Sequence, residues 1–213
     1  MTKKQEILHE LKHHFPFTFI TGIIAGIIIT FLFIAGVSFS SPKITSTFEL
    51  FHIGHIFVSA IATSALYYKY KKSKTTAIIL GFLGAIIVGS VSDVLFPFLI
   101  GKLFFLKISF HLPLIEEPIK IALIALAGTF IGIFSQKFHA PFKLSHNLHV
   151  FLSFIASLFY VLAFTPTLTF ASILLLIIIV FIVVYIPCSI SDIIFPLLFL
   201  KKDSSNLFDH FIA

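Results

Sequence analysis

Phe48-Glu49-Leu50-Phe51-His52-Ile53-Gly54-His55-Ile56-Phe57-Val58-Ser59-Ala60-Ile61-Ala62 decides the reading of this chain, because it occurs twice. Residues 142–156 repeat it as Phe142-Lys143-Leu144-Ser145-His146-Asn147-Leu148-His149-Val150-Phe151-Leu152-Ser153-Phe154-Ile155-Ala156, with eight of fifteen positions identical. A second pair follows each copy. Ser90-Val91-Ser92-Asp93-Val94-Leu95-Phe96-Pro97 returns as Ser189-Ile190-Ser191-Asp192-Ile193-Ile194-Phe195-Pro196, five of eight identical and the rest aliphatic exchanges. A fainter match sets His9, Pro16, Ala25 and Gly26 against His111, Pro118, Ala127 and Gly128. Apolar sequence matches itself easily, but these matches fall on His, Asp, Ser and Pro, which are scarce here. The chain therefore reads as an internal duplication.

What is duplicated is a set of membrane spans. The 213 residues are 58% hydrophobic and 11% charged, with a mean hydropathy of +1.10, whereas a soluble domain is roughly 45–50% apolar and about 25% charged. A crossing of about 30 Å needs ~20 apolar residues of helix. Six segments fit: 17–37, 48–68, 76–100, 119–134, 147–164 and 170–200. Pro187 and Pro196 should kink or break the long sixth segment. The first apolar run is too long for a cleavable leader and has a counterpart later in the chain. No soluble stretch is long enough for a second domain.

The net charge of +6 does not point to nucleic acid, because all fifteen basic residues are lysine and none offers the bidentate guanidinium. The lysines instead report orientation. With the N-terminus inside, Lys3, Lys4, Lys12, Lys69, Lys71, Lys72, Lys74, Lys137, Lys143, Lys201 and Lys202 lie inside, and Lys43, Lys102, Lys107 and Lys120 outside. The positive-inside rule favours that arrangement. It predicts a multi-pass protein of the cell membrane with both termini cytoplasmic. Tyr67, Tyr68 and Tyr70 fit an interfacial belt. Cys188 is the single cysteine, which excludes an intrachain disulfide and a cysteine-built metal cage.

Three spans per copy is an odd number, so the two copies enter the bilayer in opposite directions. The expected fold is an all-α polytopic membrane protein of about six transmembrane helices. It consists of two inverted-topology three-helix repeats, residues 1–105 and 106–213, in one membrane domain. Many secondary transporters use such inverted repeats for alternating access.

Ionisable residues inside spans are costly and point to function. His52, His55, Ser59 and Thr63 form one polar stripe on the second span, and His146, His149, Ser153 and Ser157 repeat it on the fifth. Asp93 and Asp192 sit deep in the third and sixth, each with serines beside it (Ser90 and Ser92; Ser189 and Ser191) and proline four residues on. Proline removes the N–H that would bond the Asp carbonyl. Carboxylate, imidazole, hydroxyl and a freed carbonyl suit a cation. The candidate metal ligands are His52, His55, Asp93, His146, His149 and Asp192, supported by Ser59, Ser92, Ser153, Ser191, Glu116 and Glu117. His/Asp donor sets take divalent Zn, Mn, Fe, Co or Ni; without a nearby cysteine, Cu(I) is disfavoured. The same groups could carry protons, since imidazole titrates near neutrality. The residues group either as two sites, one per leaflet, or as one centre. The leading functional expectation is a transporter or channel for a divalent cation. Its partners are the lipid bilayer and a small ion or solute, and 23.8 kDa leaves room for a homodimer.

Two other readings compete. Glu116-Glu117-Pro118-Ile119-Lys120 resembles the EExxK signature of PrsW-like and CPBP-type intramembrane proteases, and Phe142-x3-His146 is similar to the FxxxH motif of the CPBP group. That resemblance implies a hydrolase in which Glu116 or Glu117 activates water and His146 assists. The second acidic motif of PrsW-like proteins is missing, no HxxxN or HxxxD follows, and Phe48-x3-His52 shows that FxxxH belongs to the repeat. The third reading is a scaffold whose His and Asp residues join helices.

Overall fold

A computed structural model describes residues 3–37, 39–135 and 142–189. Those residues are all-helical: α1 (Lys3–Ile34), α2 (Pro42–Lys71), α3 (Lys74–Ser90), a π-helical turn (Val91–Leu95), α4 (Phe96–Leu103), α5 (Pro113–Glu116), α6 (Pro118–Ser135), α7 (Phe142–Phe164) and α8 (Phe170–Ser189). Among the described residues, three stretches are long and apolar enough to cross a membrane: Pro42–Lys69, Lys74–Leu103 and Pro118–Ser135. Thr18–Ile34 and Leu148–Phe164 are shorter apolar helices. The end of the expected sixth span from residue 190 on, with Ser191, Asp192 and Pro196, lies outside the described residues.

The predicted segments differ from the helices chiefly at their ends. Helix α1 runs about four turns further back than the apolar stretch and passes through Pro16. The added residues Lys4, Gln5, Glu6 and Leu8 are good helix formers, and Pro16 removes one backbone bond without ending the ladder. The third segment is one continuous path but changes pitch. Pro97 cannot donate to the Asp93 carbonyl, and the Phe96 N–H bonds the Val91 carbonyl five residues back. The turn that carries Asp93 is therefore π-helical, a local form often found at functional sites.

Helix α2 is the hub and packs against α3, α6 and α7; α7 also meets α1, α8 and the π turn, while α1 packs on α8 and α3 on α6. Small residues allow the closest approaches. A Cβ on Gly128 would strike the Phe57 carbonyl, and one on Gly132 would overlap Ser64 Oγ and the Ile61 carbonyl. Ser64 bonds across this contact to the Thr129 carbonyl at 3.0 Å. The main apolar core joins Ile29, Phe48, Val94, Phe154, Tyr160, Leu162 and Val180. Large apolar side chains also cover the outside: Ile27, Phe31, Ile119 and Leu123 are all exposed. That outward pattern suits helices surrounded by lipid chains.

The connections are tied to the C-terminal end of α7. Ser40 N–H bonds the Leu162 carbonyl at 3.0 Å and Ser40 Oγ the Thr165 carbonyl at 2.7 Å. From the segment between α4 and α5, Ser109 N–H bonds the Phe164 carbonyl at 2.9 Å.

Candidate functional site

Three elements converge on Asp93. Helix α2 brings His52 and His55, one turn apart on the same face. The π turn brings Ser92 and Asp93. Helix α7 brings His149, Ser153 and Ser157. All seven are buried. Gly89, one turn before Asp93, lets α3 approach this face: a Cβ there would crowd Ile56 Cγ1 at 2.8 Å and lie 3.8 Å from His52 Cε1.

The carboxylate of Asp93 is fully engaged. Its Oδ2 accepts from His52 Nδ1 at 2.9 Å and from His55 Nδ1 at 2.7 Å. Its Oδ1 accepts from Ser92 Oγ at 2.7 Å and Ser153 Oγ at 2.8 Å. Ser157 Oγ lies 2.8 Å from the Ser153 carbonyl and 3.1 Å from the Ser92 carbonyl, tying α7 to the π turn. The rings of His55 and His149 lie against each other, centroids 4.7 Å apart.

The Nδ1 contacts bear on where the imidazole protons sit. An ionised carboxylate only accepts, so both Nδ1 atoms carry hydrogen. In neutral rings each Nε2 is then a bare lone pair. His52 Nε2 and His55 Nε2 are buried and have no hydrogen-bond partner among the described residues; the same holds for Ser59 Oγ. An imidazole anchored by a carboxylate through one nitrogen, with the other free, is the arrangement in which histidines ligate metals. With both rings neutral and the carboxylate ionised, the group would carry a net negative charge and its open positions would be nitrogen lone pairs. That group can accept a cation.

This changes the part expected of Asp93. With both oxygens occupied by four donors, it orients the two histidines, and the donor atoms it leaves open belong to them. Of the two groupings left open by the sequence, the described residues place His149 and Ser153 beside the His52–His55–Asp93 cluster. His146 lies one turn before His149 on α7. Asp192 and Ser191 lie outside the described residues. Among the described residues no three His, Cys, Asp or Glu side chains converge as the ligand cage of a metal ion.

Glu116 and Glu117 stand elsewhere. Glu116 Oε1 is 2.7 Å from His111 Nδ1, and Glu117 Oε2 is 2.6 Å from Lys120 Nζ. His111 stacks on Phe164, centroids 4.5 Å apart, at the C-terminal end of α7. His146 is eighteen residues back along the same helix, about 27 Å by helical rise. The Glu116–His146 pair that the protease motifs imply falls on the His146 side chain, which lies outside the described ones. The structure also shows two ring contacts that sequence reasoning did not assign. Phe48 stacks on His52, centroids 5.5 Å apart, and Tyr160 meets Phe48 at 5.3 Å. Phe48 carried a signal as the first residue of the repeat; Tyr160 carried none.

Compared with known proteins, the chain matches no family model, no curated protein and no solved structure.

Proposed function

We propose that this chain is a small membrane transporter or channel for a divalent cation, with the His52–His55–Asp93 cluster as its cation-binding centre. One observation carries the reading: a buried carboxylate holds two imidazoles by Nδ1 and leaves both Nε2 lone pairs without a partner among the described residues. Nitrogen donors favour borderline ions such as Zn, Co or Ni over Mg or Ca. Two imidazoles without a full cage bind weakly, which suits an ion that must leave as well as arrive.

The packing supports the inverted-duplication part of the proposal. Exchanging α1 with α6, α2 with α7 and α3 with α8 turns each major contact into another that exists. The α2–α6 contact becomes α7–α1, α2–α3 becomes α7–α8, and α3–α6 becomes α8–α1. His55 and His149, equivalent in the repeat, meet where α2 crosses α7. In this reading six spans lie in the cell membrane with both termini cytoplasmic, and Asp192 is the counterpart of Asp93.

The experiment is metal analysis of the detergent-purified chain, joined to zinc or cobalt flux into liposomes, for the native protein and Asp93→Asn. The expected result is a bound transition metal and a flux that Asp93→Asn removes while the protein still folds. Full flux in Asp93→Asn would overturn the reading. Loss of assembly in that variant, with no metal in the native chain, would favour the scaffold reading, which the Ser153 and Ser157 bonds between α7 and the π turn support.

A further inference from the structure

His111 repeats the chemistry of the buried centre at the protein surface. Its Nδ1 lies 2.7 Å from Glu116 Oε1, with the carboxylate 51% exposed and the imidazole 17% exposed. Its Nε2 is buried and has no hydrogen-bond partner among the described residues. The ring is held firmly: it stacks on Phe164 at an interplanar angle of 25°. The backbone N–H of His111 reaches Tyr160 Oη at 3.3 Å. Again a carboxylate grips one nitrogen and the other points inward.

The two imidazole sites share a neighbour. Phe48, fully buried, has its ring centroid 6.1 Å from that of His111 and 5.5 Å from that of His52. Exposure falls from the half-exposed Glu116 carboxylate to the partly buried His111 imidazole, and Phe48 and Asp93 are fully buried. Phe48 has no group that could pass an ion along.

We propose that His111 and Glu116 form a second, outer site that captures the divalent cation, with Phe48 as the barrier between it and the centre. The proposal rests on the cation reading of the centre and extends it. Glu116 supplies negative charge at the water boundary, where it raises the local cation concentration. His111 supplies the nitrogen donor that selects a borderline ion over Mg or Ca. The Phe48 ring must move, or be passed, for the ion to reach His52.

The test uses the full chain and Zn2+ itself. Calorimetric zinc titration is run on Asp93→Asn, on Asp93→Asn with His111→Gln, and on Asp93→Asn with Glu116→Gln. Asp93→Asn should keep a zinc-binding component that His111→Gln removes and that Glu116→Gln weakens about tenfold, the size of one charge-assisted contact. In liposomes, His111→Gln and Glu116→Gln alone should raise KM for zinc by about tenfold, more than they lower the maximal rate, as expected for lost ground-state capture. Phe48→Leu should raise the basal zinc leak. Identical titrations for Asp93→Asn with and without His111→Gln, or a native KM in His111→Gln, would overturn the outer site. If Asp93→Asn binds and carries zinc like the native chain, the centre fails instead. The His111 comparison is then repeated without the Asp93 change and still decides the outer site.

Discussion

Asp93 concentrates the interactions of this protein on four atoms: two imidazole nitrogens on one oxygen and two serine hydroxyls on the other. Such a group is costly to disturb, because removing one partner leaves a buried polar atom without its bond. Removing the Ser153 hydroxyl takes away one of the four donors and leaves the charge. Ser153→Ala should lower stability by about 1 kcal/mol and weaken zinc binding only a few-fold, as measured by thermal melts and calorimetry. His52→Gln and His55→Gln remove the proposed donor atoms themselves. Each should weaken zinc binding by more than about tenfold, the loss of one good ligand. If Ser153→Ala proved as damaging to binding as the histidine changes, the lone pairs would not be the working atoms. Gln keeps a polar side chain at each position and so separates ligation from packing.

Two helical features set the site, and each invites a substitution. Pro97 is the reason the Asp93 turn is π-helical, since it cannot donate to the Asp93 carbonyl. Pro97→Ala restores an N–H and allows an ordinary α-turn, which would rotate Asp93 relative to His52 and His55. The expected outcome is unchanged or higher thermal stability together with loss of zinc binding. A variant that melts higher and binds normally would show that the π turn is incidental. The second feature is the Gly128-x3-Gly132 face of α6, laid against α2 at Phe57, Ile61 and Ser64. A side chain at Gly132 meets backbone that cannot yield. Gly132→Val should destabilise the protein by about 1–3 kcal/mol through overpacking, visible as a lower melting temperature. The same change at Gly36, where a Cβ would meet nothing within 4 Å but the residue has φ +70, tests backbone strain instead of packing.

At the scale of the whole molecule, orientation is the property to test. Ser41 precedes α2 and Ser73 follows it, and the helix between them includes Pro42–Lys69, long and apolar enough to cross a membrane. In a Cys188→Ser background, Ser41→Cys should react with an impermeant maleimide from outside the cell and Ser73→Cys only after permeabilisation. Equal access from one side would end both the lysine-based topology and the inverted duplication that depends on it. The packing makes a related demand. Because α2 and α7 cross at His55 and His149, the proposed alternating access would disturb that crossing, and zinc should then change hydrogen exchange in α2 and α7 more than in α1.

The sequence by itself determined what repeats locally. Apolar runs of bilayer length, the His-x2-His stripe with serine a turn on, and proline four residues after Asp are spacings along one chain, and helical periodicity turns them into faces without knowledge of any neighbour. The segments 48–68, 76–100 and 119–134 accordingly fall within Pro42–Lys69, Lys74–Leu103 and Pro118–Ser135. Proline chemistry marked the carbonyl of Asp93 as free, though not that the turn would become π-helical. Only the tertiary structure decided which faces meet. Two histidines share one oxygen of Asp93, and Ser153 crosses from the second copy to the first, because α2, α7 and the π turn pack side by side. The same packing joins Glu116 to His111, a pairing the sequence motifs did not announce. Distance along a helix accumulates at about 1.5 Å per residue, whereas distance across a helix contact depends on the side chains between. Glycines at 89, 128 and 132 set those contacts, and sequence spacing carries no measure of them.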